Sequence, residues 1–160
     1  MAISVGDRIP DVTLRTMTPE GPTAVQSGEV LGKGKVVLFA VPGAFTPTCS
    51  DHHLPGFVLR ADDLAAKGVD TIACVSVNDA FVMGAWGQSQ DTGDKVLMLA
   101  DGNGEFTAET GLEMDGSGIG LGTRSRRYAA IIDDGVVTEL LVESAPGLDV
   151  SSADSVLGRL

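Results

Sequence analysis

Thr46-Pro47-Thr48-Cys49 carries the residue types best able to do chemistry in this chain, a thiol three positions after a hydroxyl. A cysteine in the first turn of a helix faces the positive end of the backbone dipole and several unpaired N–H groups, and both favour thiolate over thiol. The thiolate is the nucleophile. A dithiol oxidoreductase needs a C-x-x-C pair at such a helix start, and here Thr46 holds the first of those positions. One local cysteine cannot close a vicinal disulfide, so the chemistry left to it is attack on an electrophile. With a peroxide, the thiolate displaces on one oxygen and leaves a sulfenic acid. The Thr46 hydroxyl both donates and accepts, so it can orient the incoming peroxide; its alternative role is to cap the helix. An arginine would complete the site by fixing the thiolate and the charge that passes to the leaving oxygen. Arg124, Arg126 and Arg127 cluster in a chain with 11 Lys and Arg in all. Strand alternation sends Arg126 and Arg127 to opposite faces, so one of them can reach the site.

Other groupings are weaker. His52 and His53 follow Cys49 closely and invite a Cys–His nucleophile, but no oxyanion donor or third member can be named. Cys49, His52, His53 and Cys74 match no standard zinc spacing, and Cys74 in mid-strand cannot easily turn toward the others. Cys74 reads first as a small buried hydrophobe. Gly116, Gly118, Gly120 and Gly122 have no strand before them and no Gly-Lys-Ser/Thr after, so they read as a flexible loop rather than a phosphate cradle. Met83 and Trp86 read as core or interface. Nothing calls for haem, flavin or nicotinamide, and no cofactor or metal is expected.

The elements that must position these groups follow from periodicity. Residues 12–16 alternate as a short strand, and 17–34 read as loop or hairpin. The apolar run at 36–41 is a buried strand that delivers the chain to Pro42-Gly43-Ala44-Phe45. From 50 to 67, Leu54, Phe57, Val58, Ala61, Leu64 and Ala65 recur at helical spacing, with a kink expected at Pro55 and Gly56. Residues 71–77 form a second strand, and Asn78 can cap a helix carrying Phe81, Val82, Ala85 and Trp86. Residues 96–100 form a third strand, followed by a turn at 101–104. The segments 128–132 and 136–142 flank Asp133-Asp134-Gly135 as a hairpin. Residues 152–160 form a last short helix with Ser151 as its cap. Strands alternating with helices and closed by a hairpin imply an α/β, thioredoxin-like fold. Its mixed central sheet is flanked by helices and extended by an N-terminal hairpin. A flavodoxin-like sheet is the alternative, and the closing hairpin speaks against it.

The 160 residues suit one domain spanning 1–160, and 43% hydrophobic content argues against disorder. With 11 basic against 22 acidic residues, the formal charge of −11 disfavours nucleic acid and acidic lipid as partners. No apolar stretch approaches a membrane span, and residues 1–7 do not read as a signal peptide. Two cysteines make no disulfide scaffold; they suit a reducing, cytoplasmic compartment.

The segment Pro42-Gly43-Ala44-Phe45-Thr46-Pro47-Thr48-Cys49-Ser50, with His53-Leu54-Pro55-Gly56-Phe57 after it, resembles the active-site segment of type II peroxiredoxins, the peroxiredoxin-5-like group. The resemblance continues through Cys74-Val75-Ser76-Val77-Asn78-Asp79, Leu99-Ala100-Asp101-Gly102 and Gly120-Leu121-Gly122-Thr123-Arg124-Ser125-Arg126-Arg127-Tyr128, and so covers most of the chain. It implies a thiol peroxidase for hydrogen peroxide and alkyl hydroperoxides in which Cys49 is peroxidatic. Pro42 would shield Cys49, Thr46 and Arg127 would activate it, and Arg124 and His53 would support it. It also implies a homodimer. Similar plant and bacterial proteins carry a second cysteine at the place of Cys74, so a resolving role for Cys74 stands beside the structural one. A subgroup with a resolving cysteine near the C-terminus differs here, because Leu148-Asp149-Val150-Ser151-Ser152 holds no thiol. The reductant implied is glutathione with glutaredoxin, or thioredoxin, the former favoured by that missing thiol. The competing reading is a non-enzymatic redox sensor or chaperone that shares the cysteine without turnover.

Overall fold

The computed structural model describes residues 2–160, so Met1 lies outside it. The apolar run becomes β3 (Lys35–Ala40), the strand on which the site is built. Its alternate residues serve two cores. Val37, Phe39 and Val41 pack on one face with Leu54, Phe57, Met83 and Trp86, and Val36, Leu38 and Ala40 pack on the other with Leu99 and Phe106. A strand buried on both faces has no polar side to display, which is why the run is continuous rather than alternating.

Seven strands make one mixed sheet in the order β2-β1-β5-β4-β3-β8-β9. β4 (Thr71–Ser76) pairs parallel with β3 and with β5 (Leu97–Ala100). β8 (Tyr128–Asp133) and β9 (Val136–Val142) close one edge as an antiparallel hairpin. Its turn is Asp134-Gly135, both at positive φ, as a two-residue hairpin turn requires. The N-terminal hairpin, β1 (Thr13–Thr18) and β2 (Gly21–Gln26), extends the other edge through β5. A separate pair, β6 (Glu113–Asp115) and β7 (Thr123–Ser125), brackets the glycine-rich loop. Within that loop Ser117–Ile119 forms a single 3-10 turn.

Helix α1 (Ser27–Val30) is one turn. α2 (Leu54–Leu59) and α3 (Ala61–Ala66) follow β3, α4 (Ala80–Ser89) follows β4, and α6 (Ala153–Leu157) ends the chain on the same face. α5 (Glu105–Thr110), flanked by Gly104 and Gly111 in left-handed conformations, covers the opposite face with Phe106; the sequence reading had only a turn there.

Two local expectations are corrected, and the irregularity expected at Pro55 and Gly56 takes a specific form. The helix after Cys49 opens just before Pro55 into a π segment at Cys49–His53, closed by Leu54 N–H to the Cys49 carbonyl, and is interrupted again at Arg60. Pro55 has no N–H for a regular bond to residue 51, and its ring would press on that carbonyl, so the turn in front of it opens. Asn78 does not cap α4. Asp79 does, accepting from Val82 N–H at 2.9 Å. Ser152, not Ser151, caps α6, accepting from Ser155 N–H at 3.1 Å. Asn78 and Ser151 are committed elsewhere, both of them next to the site.

Candidate active site

The site lies where β3 ends. The chain turns out of the sheet through Phe45, whose φ of 64° lies in the left-handed region, costly for a bulky side chain. Two bonds hold this turn. Ala44 N–H donates to Asn78 Oδ1 at 3.0 Å, and the Thr46 hydroxyl donates to the Gly43 carbonyl at 2.7 Å. Asn78 is itself fixed by the Ser76 hydroxyl at 2.6 Å. Thr46 occupies the cap position, since its carbonyl accepts Ser50 N–H at 2.9 Å, but its hydroxyl points back to Gly43 instead of forward to the helix amides. With its hydrogen committed, the Thr46 oxygen is left with lone pairs to accept a hydrogen bond.

Cys49 is fully buried, while Pro42, Thr46 and Arg127 are partly exposed. Register explains why Arg127 reaches the cysteine. Ala40 pairs with Tyr128, so Arg127 lies level with the first residue past the end of β3. Its guanidinium forks. Nη2 donates to Cys49 Sγ at 3.0 Å and Nη1 donates to His53 Nδ1 at 2.9 Å. A cation that donates to sulfur is matched to a thiolate and to the charge that leaves it during attack. Arg126 takes the opposite side as alternation required; it is exposed and donates to the Glu143 carbonyl at 3.2 Å.

Arg124 does not touch the sulfur. Its Nε donates to the Leu121 carbonyl at 2.9 Å and its Nη1 to the Pro42 carbonyl at 3.2 Å, so it straps the glycine-rich loop to the end of β3. Gly43 is needed beneath this strap, because a Cβ there would lie 3.0 Å from Arg124 Nη1 and 3.1 Å from Thr46 Cγ2.

His53 is buried against Phe39 and Phe57, with ring centroids 4.9 and 5.6 Å away. Burial, reinforced by the Arg127 cation, lowers its pKa to about 3. The imidazole is therefore neutral near pH 7. Nδ1 accepts from Arg127, so the proton sits on Nε2, which donates to the Ser151 carbonyl at 2.9 Å. A neutral imidazole pinned by a guanidinium is not poised as the base of a Cys–His pair. His52 is exposed.

Cys74 lies in mid-β4 with no exposed surface, on the same sheet face as Cys49, and both thiols are free. Burial first, and the neighbouring Cys49 second, push the Cys74 thiol well above its ordinary range. Among the described residues no cluster of three His, Cys, Asp or Glu side chains could hold a metal.

Sequence reasoning missed Ser50, Trp86, Glu143 and Ser151 as neighbours of the site. Trp86 Nε1–H donates to Ser50 Oγ at 2.9 Å and ties α4 to the π segment. Glu143 accepts from the Ser151 hydroxyl at 2.6 Å and from the amides of Asp149 and Ser151 at 2.9 and 2.8 Å. A signal for Glu143 existed in the hairpin register. A β-bulge hid it: Ile132 pairs with Val137 but Ile131 with Glu139, leaving Thr138 unpaired and moving position 143, not 142, opposite Arg127.

Comparison with known proteins places the chain in a family. The Redoxin family profile matches residues 4–157. The chain is 52% identical over 164 residues to the chloroplastic peroxiredoxin-2E of Arabidopsis thaliana, covering 99% of this chain and 70% of that protein. Among solved structures it is similar to reduced Prx3 of Vibrio vulnificus in complex with hydrogen peroxide, with a TM-score of 0.94, 55% identity and 98% of each chain covered. It is also similar to peroxiredoxin 5 of Alvinella pompejana, with a TM-score of 0.82, 38% identity, and 97% of this chain and 96% of that one covered.

Proposed function

The chain belongs to the type II peroxiredoxins of the Redoxin family and is a thiol peroxidase, and on that premise we propose that Cys49 is the sulfur that peroxide oxidises. The observation that carries this assignment is the bond from Arg127 Nη2 to Cys49 Sγ at 3.0 Å, beside a Thr46 hydroxyl whose hydrogen is already committed. The thiolate attacks the nearer peroxide oxygen, an S–O bond forms and the O–O bond breaks. Sulfur is oxidised by two electrons, and the far oxygen departs as hydroxide or alkoxide and takes up a proton as water or alcohol. Thr46 accepts from the peroxide O–H, and Arg127 donates to the oxygens as charge moves onto them. Pro42 keeps bulk water from the sulfur, while Arg124 and His53 hold the loop and the guanidinium in place. The substrates are hydrogen peroxide and alkyl hydroperoxides, in line with the peroxide bound to the Vibrio vulnificus protein.

The sulfenate is cleared by an outside thiol, with glutathione and glutaredoxin favoured over thioredoxin. Glutathione displaces water to give a mixed disulfide, which glutaredoxin reduces. The state of Cys74 supports this route: a fully buried thiol held well above its ordinary range is a poor nucleophile. Peroxide consumption with glutathione and glutaredoxin is expected to vanish in Cys49→Ser and to persist in Cys74→Ser. Loss in both variants would make Cys74 the resolving cysteine, and faster turnover with thioredoxin alone would overturn the choice of reductant.

The protein acts as a homodimer in a reducing compartment such as the cytoplasm. Phe45, Phe81 and Ile119 are 55, 67 and 77% exposed. The Ala44–Asn78 bond and the Arg124 strap bring their three segments to one end of the sheet. Large apolar side chains left exposed on segments at one end of a sheet suit an interface. Sedimentation at micromolar concentration is expected to show a dimer, and a monomer there would refute it.

A further inference from the structure

Arg127 lies on a closed circuit of hydrogen bonds that begins at its own backbone. Glu143 N–H donates to the Arg127 carbonyl at 3.0 Å, a position set by the bulge in β9. The Glu143 side chain then gathers three donors on one oxygen, the Asp149 amide, the Ser151 amide and the Ser151 hydroxyl. This turns the Ser151 carbonyl onto His53 Nε2 at 2.9 Å, and His53 Nδ1 receives Arg127 Nη1 at 2.9 Å. The other arm of the same guanidinium ends on Cys49 Sγ.

We propose that Glu143 is a positioning residue for the thiol oxidation, aiming the Arg127 fork at Cys49 through Ser151 and His53. The inference rests on the reading of Cys49 and Arg127 given above.

Each link has a chemical reason. A single oxygen that accepts three donors is best served by an ionised carboxylate. Burial alone would raise the Glu143 pKa, but the Ser151 hydroxyl and the Asp149 and Ser151 amides outweigh it and hold it below the usual range. Residues 144–147 are exposed, so the return of the loop to the site is anchored at this carboxylate. Without the anchor the Ser151 carbonyl has no fixed aim. His53 then loses the partner that selects its Nε2–H form, and in the other tautomer Nδ1 carries a hydrogen and cannot accept from Arg127. The guanidinium would swing away from one of its two targets. Hydrogen-bond partners that orient metal-bound histidines act at the same remove, through the ring nitrogen facing away from the reacting centre.

The test is the rate of Cys49 oxidation by hydrogen peroxide, followed by stopped flow through Trp86, whose indole is bonded to Ser50 beside the cysteine. Glu143→Ala is expected to slow oxidation roughly tenfold or more, on the scale of such outer partners. Glu143→Gln, which keeps an acceptor oxygen, recovers most of the loss. In an Arg127→Lys background Glu143→Ala slows the reaction no further, because two residues acting as one unit are not additive. Nitrogen-15 NMR of His53 shows the Nε2–H tautomer in the wild type and a mixture in Glu143→Ala, a change that a merely stabilising residue would not cause. A folded Glu143→Ala with the wild-type rate and tautomer overturns the proposal, as does full slowing in the Arg127→Lys background. Should Glu143→Ala not fold, Ser151→Ala removes one donor while keeping the carbonyl; slower oxidation supports the proposal and an unchanged rate and tautomer overturn it. A wild-type rate in Arg127→Lys alone would instead remove the premise, and the proposal with it.

Discussion

Replacing Arg127 by glutamine is expected to lower the second-order rate constant for peroxide about 100- to 1,000-fold, the loss that follows removal of one preorganised donor to developing charge. The guanidinium supplies two things at once, a charge and a fork. Its charge faces the sulfur from which electrons move, and its fork is held rigid because the second arm is bonded to His53 at 2.9 Å. Glutamine keeps a donor but no charge and too short a reach. Lysine keeps the charge but is a point donor, unable to satisfy His53 Nδ1 and Cys49 Sγ with one planar group. Arg127→Lys should therefore recover only part of the loss. In both variants His53 Nδ1 is left without its guanidinium donor at a buried site, which costs stability of about 1–3 kcal/mol. Stopped-flow oxidation of Cys49 and thermal melts separate the two effects. A rate for Arg127→Gln within threefold of the wild type would sink the assignment, whatever the melts show.

The fork also suits turnover better than passive sensing. A sensor needs Cys49 to become oxidised on the timescale of a signal. It does not need the transition state to be stabilised by a guanidinium fixed at both ends. The fork is bonded to a neutral imidazole that is itself fixed to a backbone carbonyl. This degree of preorganisation has its largest consequence in turnover.

What could be read from the sequence was what is local. Thr46 and Cys49 announce themselves through spacing, and β3 through an unbroken apolar run. The closing hairpin is legible because Asp134-Gly135 is a turn that few other residues can make. Arg127 was one of three arginines until strand alternation separated it from Arg126, and its partnership with Cys49, 78 positions away, required the pairing of β3 with β8. The unread parts were those set by closure of the fold. Asn78 and Ser151 have the residue types of helix caps. A neighbouring Asp79 and Ser152 could do that work, which freed Asn78 for Ala44 and Ser151 for Glu143. The partners Ser76 and Glu143 lie close in sequence, but residue type alone does not say which of two neighbouring candidates caps the helix. The π segment is not legible in the sequence because Pro55 acts on the turn before it, not at its own position.

Acid should destabilise this protein earlier than its carboxylates alone would dictate, and His53 is the cause. In the unfolded chain an imidazole titrates near its ordinary 6.5, whereas in the fold it titrates at about 3. Between those values the unfolded state holds a proton that the folded state refuses, so stability rises with pH and falls as pH drops. The slope from this one group approaches about 1.4 kcal/mol per pH unit, fully developed below about pH 6 and levelling off only near 3. Glu143 works in the same direction over a lower range. Its folded pKa is depressed, so its contribution is present above the unfolded carboxylate value and is lost as pH falls through the folded one. Denaturant midpoints measured from about pH 4 to pH 8 on the wild type and on His53→Gln isolate the histidine. The variant should be the less stable of the two at pH 8, because it loses the bond to Ser151 and the ring packing on Phe39. Its stability should then fall less steeply between pH 6 and pH 4, and the difference between the two curves should have the slope of one proton. Parallel curves would mean that His53 takes up its proton in the fold as readily as in the unfolded chain, so that neither burial nor the Arg127 cation opposes its charging, contrary to the packing described.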